Sequence, residues 1–342
     1  MRPDRGSRRR VLIGILVAVL LIALFGLAIY LIEKHGLLDE QFGDSGDWGK
    51  NGAEQFSLEL NDREYVSSDD IDAYLVIGKD DPKEGEQGYN GEMADFLMLI
   101  LIDNTTQKYG FYQINRDTIT YVDVLDENGN SKAALTQQIC IAHWYGLDPE
   151  MRNANTVSAA RNLFGGLPID GYYTISMSDM GLINNAIGGV VVDIEDDMTN
   201  VDPEFVKGTS ILLKDDQAEK FVRARMSVGE GTNEERMRRQ SQYVQKAYNL
   251  IMNQLRERPE YINDLYQELH EIVETDAGSK DLSTIADRMI NFESEGIIKF
   301  SGKSTTGQHL EDGLEHAEFY PDGQSIVDCL KKVMNLEPVS AE

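Results

Sequence analysis

Five arginines crowd the stretch RARMSVGEGTNEERMRRQ, residues 223–240, of a chain that is otherwise strongly acidic. A guanidinium offers a planar fork of donors that matches phosphate oxygens two at a time, so clustered arginines are chemically suited to phosphate. Arg223 and Arg225 point to nearly opposite sides of a helix but to one side of an extended chain, and Gly229 and Gly231 favour an early end to the helix begun in DDQAEKFV. Arg236, Arg239 and Gln240 follow at i, i+3 and i+4, on one face near a helix start, where backbone N–H groups and the helix dipole add to anion attraction. A solvated amphipathic helix, with Glu234 and Glu235 balancing the arginines, fits the same pattern.

A second group sits at the ends of β-like runs. Asp80 and Asp81 follow DAYLVIGK, Asp95 precedes FLMLILID, and Arg116 with Asp117 closes GFYQIN. Open α/β sheets place their ligands at strand ends. Two carboxylates brought together there can hold a Mg²⁺ ion that keeps most of its waters and bridges to phosphate oxygens. Strand ends are also wet, and wet ends carry charge without any ligand. Other catalytic signatures are missing. The five histidines show no i, i+4 pair and no zinc spacing, GIIKFSGKST encloses five residues where a P-loop needs four, and no G-x-S-x-G occurs.

These residues need a scaffold, and its elements are legible as short apolar runs. DAYLVIG, FLMLILID, GFYQIN, GYYTISM and VVVDI read as strands, several apolar on both faces as in a sheet covered by helices. The loop NTTQKY joins the second and third as a hairpin, so the sheet is mixed. Helices are expected at 136–145, 155–164 and 178–187, the last between Ser178 and the pair Gly188–Gly189. After Gln240 come the long helices SQYVQKAYNLIMNQL, EYINDLYQELHEIVE and LSTIADRMINFE, a strand GIIKFSG and a last helix around SIVDCLKKVM. This order predicts a three-layer α/β/α sandwich with a mixed central sheet.

Ahead of it, residues 11–32 carry no charge and reach roughly 33 Å as a helix, enough to span a bilayer core. Arg2, Arg5, Arg8, Arg9 and Arg10 flank the run on its N-terminal side, so the positive-inside rule places residues 1–10 in the cytoplasm and the rest outside a cell membrane crossed once. A cleaved signal peptide is the competing reading, with a shorter apolar region and a small-residue cleavage site that this run lacks. Residues 33–70, rich in Gly, Asp and Glu, read as a linker, 71–257 as one large α/β domain and 258–342 as a helical extension packing on it. Of the net charge of −27, residues 1–34 contribute +4, which leaves −31 on the remainder and argues against nucleic acid as a partner. Cys140 and Cys329 are too few for a disulfide scaffold, though the two could pair.

In order along roughly Asp72 to Asn253, these motifs resemble the LytR-CpsA-Psr family of bacterial envelope proteins: Gly78 and Asp80, then Asp95, then Arg116–Asp117–Thr118, then IDGYYTISMSDMGLINNAIGGVVVDI, then Arg223 and Arg225 followed by Arg236, Arg239 and Gln240. The resemblance implies an α/β/α fold that binds a polyprenyl pyrophosphate, with Mg²⁺ on Asp80 and Asp95. Arg116, Arg223, Arg225 and Arg236 clamp the pyrophosphate in that picture, supported by Arg239 and Gln240, while Arg116, Asp117, Arg225 and Arg236 act in catalysis. The implied activity is a Mg²⁺-dependent phosphotransferase that moves a glycopolymer from its polyprenyl-pyrophosphate carrier to a peptidoglycan acceptor, with pyrophosphatase activity on the side. Three positions depart from the family pattern: no arginine shortly precedes Asp95, a lysine position falls near Gln137 or Gln138, and the acidic residue of D-x-x-R is Asn233. An amide cannot act as a base, so the alternative is a non-catalytic polyprenyl-phosphate-binding or regulatory envelope protein; Asp117, Glu230 or the phosphate itself could otherwise take the proton.

Overall fold

The computed structural model describes residues 55–81, 92–225, 228–229, 231–258, 261–277, 285, 288–289, 291–310 and 313–339. The apolar run at 11–32, Glu230 and most of LSTIADRMINFE lie outside them. Among the described residues, no helix is long and apolar enough to cross a membrane. Two units divide the chain: a sheet unit with the described residues of Gly43–Thr174, Glu274–Ala277 and Arg288–Glu342, and a helical unit with those of Ile175–Val273 and Gly278–Asp287.

The sheet unit opens with β1 (Phe56–Leu60) and β2 (Arg63–Ser67), an antiparallel hairpin inside the stretch expected to be linker. Asn61 and Asp62 at its tip have φ of 54° and 56°, the left-handed pair that a two-residue turn requires and that Asn and Asp tolerate. Then come β3 (Ile71–Lys79), β4 (Ala94–Asp103) and β5 (Lys108–Ile114), paired antiparallel in sequence order. Every residue of β4 is buried, as a central strand covered on both faces must be.

Of the helix expected at 136–145, residues 136–138 belong instead to a strand and most of the rest is a 3₁₀ segment. β6 (Ile119–Leu125) pairs with β7 (Ser131–Gln138), Tyr121 opposite Thr136 and Ile119 opposite Gln138, and helical geometry is confined to the 3₁₀ segment Ile139–Trp144. Asp126 accepts the N–H groups of Asn128 and Asn130 at 2.8 and 2.9 Å, which turns the hairpin. Helix α1 (Pro149–Leu163) starts earlier than its apolar pattern, because Asp148 caps Met151 N at 2.8 Å and Pro149 takes the first helical position.

After β8 (Gly171–Ser176), the helical unit carries α2 (Met180–Ala186), β9 (Val191–Asp193), β10 (Ser210–Leu212), α3 (Gln217–Arg223), α4 (Asn233–Glu257) and α5 (Tyr261–Leu269). VVVDI thus yields only the three-residue β9, which pairs with β10 in a ladder of its own. The Asn184 side chain ties this unit together, donating to Leu213 O at 2.8 Å and accepting from Val190 N at 3.1 Å and Tyr243 Oη at 3.3 Å.

The chain closes through β11 (Val273–Thr275), β12 (Glu293–Ile298), the hairpin of β13 (Gly302–Gly307) and β14 (His316–Pro321), α6 (Gly323–Leu330) and β15 (Glu337–Pro338). The six-stranded sheet runs β11-β8-β3-β4-β5-β12, and it is mixed because β12 lies parallel to β5. One apolar core in the sheet unit joins Leu75, Leu99, Tyr112, Phe164, Phe300 and Leu330, so the segment after residue 288 packs into the same core as β3 to β5. Cys140 and Cys329 are buried thiols that no disulfide joins.

Candidate functional site

Antiparallel pairing brings the end of β3, the start of β4 and the end of β5 to one edge of the sheet unit, and four of the sequence's charged candidates stand there: Asp80, Asp95, Arg116 and Asp117. Lys79 pairs with Ala94, and Asp80 N donates to Met93 O at 2.9 Å, which sets Asp80 beside the segment leading into Asp95. Arg116, just beyond β5, ion-pairs with the buried Asp95 carboxylate. Its Nε lies 3.6 Å from Asp117 Oδ1, and its Nη2 lies 2.7 Å from Met93 Sδ. Burial works against the Arg116 charge, yet Cys140, Asp117 and Asp80 hold its pKa above the ordinary arginine value. The guanidinium is therefore a permanent cation.

The turn that carries it is fixed by its own sequence. Asn115 Oδ1 accepts from Asp117 N at 2.9 Å and Asn115 O from Thr118 N at 3.0 Å, an Asx turn. Cys140 N donates to Arg116 O at 3.2 Å and Ile139 N to Thr118 O at 2.7 Å, which bonds the start of the 3₁₀ segment to the same turn. Asp80 and Asp95 offer hard oxygen donors on adjoining strand ends. Among the described residues, no group of three or more His, Cys, Asp or Glu side chains is placed to hold a metal. A pair of carboxylates nonetheless fits Mg²⁺, which binds through one or two of them and keeps waters for the rest.

Sequence reasoning missed what pins these strand ends. Lys79 Nζ reaches Glu274 Oε1 at 2.6 Å and Glu92 Oε2 at 3.8 Å, and Arg152 Nη1 reaches the same Glu92 oxygen at 2.7 Å. Asn153 donates to Glu274 Oε2 at 3.0 Å. Lys79 and Glu92 immediately precede Asp80 and the Met93–Asp95 segment, so this low-exposure network fixes both carboxylates from behind. His143 is fully buried 3.9 Å from Glu92, and burial, with Lys79 and Arg152 nearby, lowers its pKa to about 3. No spacing rule links these residues, which lie on five separate segments.

In the helical unit the arginine stretch divides by role. Arg223 pairs with Glu219 one turn back at 2.6 Å, and Arg225 Nε donates to Gly231 O at 3.3 Å, across the turn formed at Gly229 and Gly231 with φ of 54° and 72°. Arg236 donates Nε and Nη2 to Asn233 Oδ1 at 3.0 and 2.6 Å. Arg239 and Gln240, both buried, turn to the end of α3: Arg239 Nε donates to Phe221 O at 3.2 Å and Nη2 to Ala224 O, and Gln240 Nε2 donates to Val222 O at 3.4 Å. Those carbonyls have no partner within the helix, and the two side chains supply one. Arg238, half exposed, ion-pairs with Glu195 and Asp196.

A model described as the LytR_cpsA_psr family matches residues 47–332 of the chain. Among curated proteins none matches significantly. Among solved structures, TagV of B. subtilis is 19% identical over 77% of this chain and 95% of its own, with a TM-score of 0.56. Protein gbs0355 from Streptococcus agalactiae is 16% identical over 77% and 86%, with a TM-score of 0.58. TagT bound to LI-WTA is 16% identical over 77% and 89%, with a TM-score of 0.53. At such identities the likeness is one of fold, mixed α/β around a mixed central sheet.

Proposed function

The chain belongs to the LytR-CpsA-Psr family, whose members are glycopolymer transferases, and from that premise we propose that it moves a cell-wall glycopolymer from a polyprenyl-pyrophosphate carrier to a peptidoglycan hydroxyl. The observation that carries the reading is the convergence of Asp80, Asp95, Arg116 and Asp117 at one edge of the sheet unit, around a partly buried and permanently charged guanidinium. TagT bound to LI-WTA, a wall teichoic acid, supports a glycopolymer as the donor class. The three-layer arrangement implied by the resemblance belongs to the same reading.

In the transfer, the acceptor oxygen bonds to phosphorus while the bond from that phosphorus to the bridging oxygen breaks, and the carrier leaves as a monophosphate. Such chemistry depends on positioning and on neutralising oxygen charge. Arg116 meets the second need with forked donors held by the Asn115 turn. Asp80 and Asp95 would hold Mg²⁺, which supplies further neutralisation of phosphate oxygens. The charge-free run at 11–32 and the arginines before it support a single membrane anchor, with the domain outside the cell.

The test is release of prenyl monophosphate from a prenyl-pyrophosphate donor by the full-length protein in detergent, with Mg²⁺ and after chelation. Arg116→Ala and Asp95→Ala should each lower turnover about 100-fold or more, the usual cost of losing one charge-stabilising group. Undiminished turnover in both variants removes the assignment. The non-catalytic alternative has one observation in its favour, the amide of Asn233 bonded to Arg236. It predicts donor binding with no release at any Mg²⁺ concentration.

A further inference from the structure

The C-terminal hairpin is bonded to the turn that carries Arg116. Phe319 N donates to Asp117 O at 2.8 Å, Thr118 and Phe319 form a parallel bridge, and Gln138 Nε2 donates to Ala317 O at 3.2 Å. Glu318 thus lies between two residues tied to the Asn115–Thr118 turn and its neighbour, on a strand about 5 Å from it at sheet spacing. Phe319 turns into the core, 6.4 Å from the Phe300 ring, so alternation along β14 sends Glu318 and Tyr320 to the opposite face.

On that face the side chains form a defined group. Glu318 is 2% exposed, yet its carboxylate accepts His309 N at 3.1 Å, His309 Nδ1 at 2.9 Å and Tyr320 Oη at 2.7 Å. Burial alone would raise its pKa, but these donors outweigh burial and hold it below the ordinary carboxylate value. The bond to Glu318 pushes the Tyr320 hydroxyl up to about 12, so it remains a donor. Gly307 on β13 makes room for the carboxylate, since any side chain there would collide with it. A carboxylate only accepts, so His309 donates through Nδ1 and keeps Nε2 as its basic nitrogen on a side chain 39% exposed. Two titratable side chains touch the His309 ring, Glu318 and Tyr320, both on β14.

We propose that His309, oriented by Glu318 and Tyr320 on a hairpin bonded to the Arg116–Asp117 turn, is the proton acceptor for the attacking hydroxyl. The proposal rests on the transfer reading above. As the acceptor oxygen bonds to phosphorus and the carrier monophosphate departs, the hydroxyl proton passes to His309 Nε2 and from there to solvent. Asn233 then needs no acidic replacement.

The experiment measures kcat, donor affinity and the pH profile of kcat in the full-length protein, with a prenyl-pyrophosphate-linked glycan as donor and a peptidoglycan fragment as acceptor. H309Q should lower kcat about 100-fold, leave donor affinity within about twofold and abolish the acidic limb of the profile. H309A should recover part of its turnover with added imidazole, which a structural histidine would not allow. Thermal midpoints of both variants control for folding. Wild-type kcat and an intact acidic limb in H309Q, or no imidazole rescue of H309A, overturn the proposal and leave the transfer reading standing. No turnover in the wild type overturns both.

Discussion

Asn233 is the first residue of α4, and its carboxamide oxygen accepts two N–H groups from Arg236, a side chain 4% exposed. An amide orients that guanidinium without cancelling its charge, whereas an aspartate would do both. Asn233→Asp would also add a negative charge at a helix N-terminus, where the dipole favours it. The variant should therefore be more stable at neutral pH, on the order of 1 kcal/mol or about 2 °C in Tm. The same carboxylate would compete with any anion for Arg236, so affinity for inorganic pyrophosphate should fall several-fold. Calorimetry reads both quantities, and a variant that binds pyrophosphate as tightly as the wild type would show that Arg236 is not an anion ligand.

At the scale of elements, Arg239 and Gln240 bond the end of α3 to α4 through Phe221, Val222 and Ala224 carbonyls. Arg239→Met would leave buried carbonyls without donors and Asp196 without one of its cations, at a cost of about 3 kcal/mol. Arg239→Lys should recover little, because one ammonium cannot reproduce the fork. Amide hydrogen exchange should then speed up across 217–225 in both variants while β3 to β5 keep their protection; unchanged exchange at 217–225 would refute the capping role. The i, i+3, i+4 spacing of Arg236, Arg239 and Gln240 was legible because α4 is regular. The partners of Arg239 and Gln240 were not, since they lie 15 to 18 residues away at the end of α3. The same contrast holds elsewhere. β3, β4 and β5 announce themselves by apolar runs, and with them Asp80, Asp95 and Arg116. β6 and β7 escaped because β7 is largely exposed and gains its pairing only from β6, and β1–β2 because two short strands sit within a composition typical of spacers. The hairpin holding Glu318 and His309 shows an ordered look in GLEHAEFYPDG, with its aromatic pair and PDG turn, but no chemistry: its meaning comes from bonds to residues near 117 and 138.

For the molecule as a whole, two buried groups give stability opposite dependences on pH. Asp103 lies fully buried, with Thr105 and Thr106 N–H groups on Oδ1 at 2.7 and 3.1 Å. Burial, and then a hydrogen bond with Asp69, raise its pKa to about 6, and Asn335 donates to that Asp69 at 2.6 and 3.2 Å. The folded chain therefore takes up the Asp103 proton more readily than the unfolded chain. Its contribution is fully present below the unfolded value of 3.8 and is lost as pH rises through about 6. His143 behaves in the opposite way: with a folded pKa of about 3 against 6.5 unfolded, its contribution is fully present above 6.5 and is lost as pH falls toward 3. Each should amount to a few kcal/mol, since every tenfold difference in proton affinity between folded and unfolded chain is worth about 1.4 kcal/mol, and between pH 4 and 6 they oppose one another. Asp103→Asn removes the falling component, so its Tm relative to wild type should climb as pH goes from 4 to 6. His143→Gln removes the rising one, and its relative Tm should drop over the same interval. Thermal melts of the three proteins at several pH values decide the matter: parallel curves would mean that neither group titrates differently on folding, whereas divergence of opposite sign identifies both.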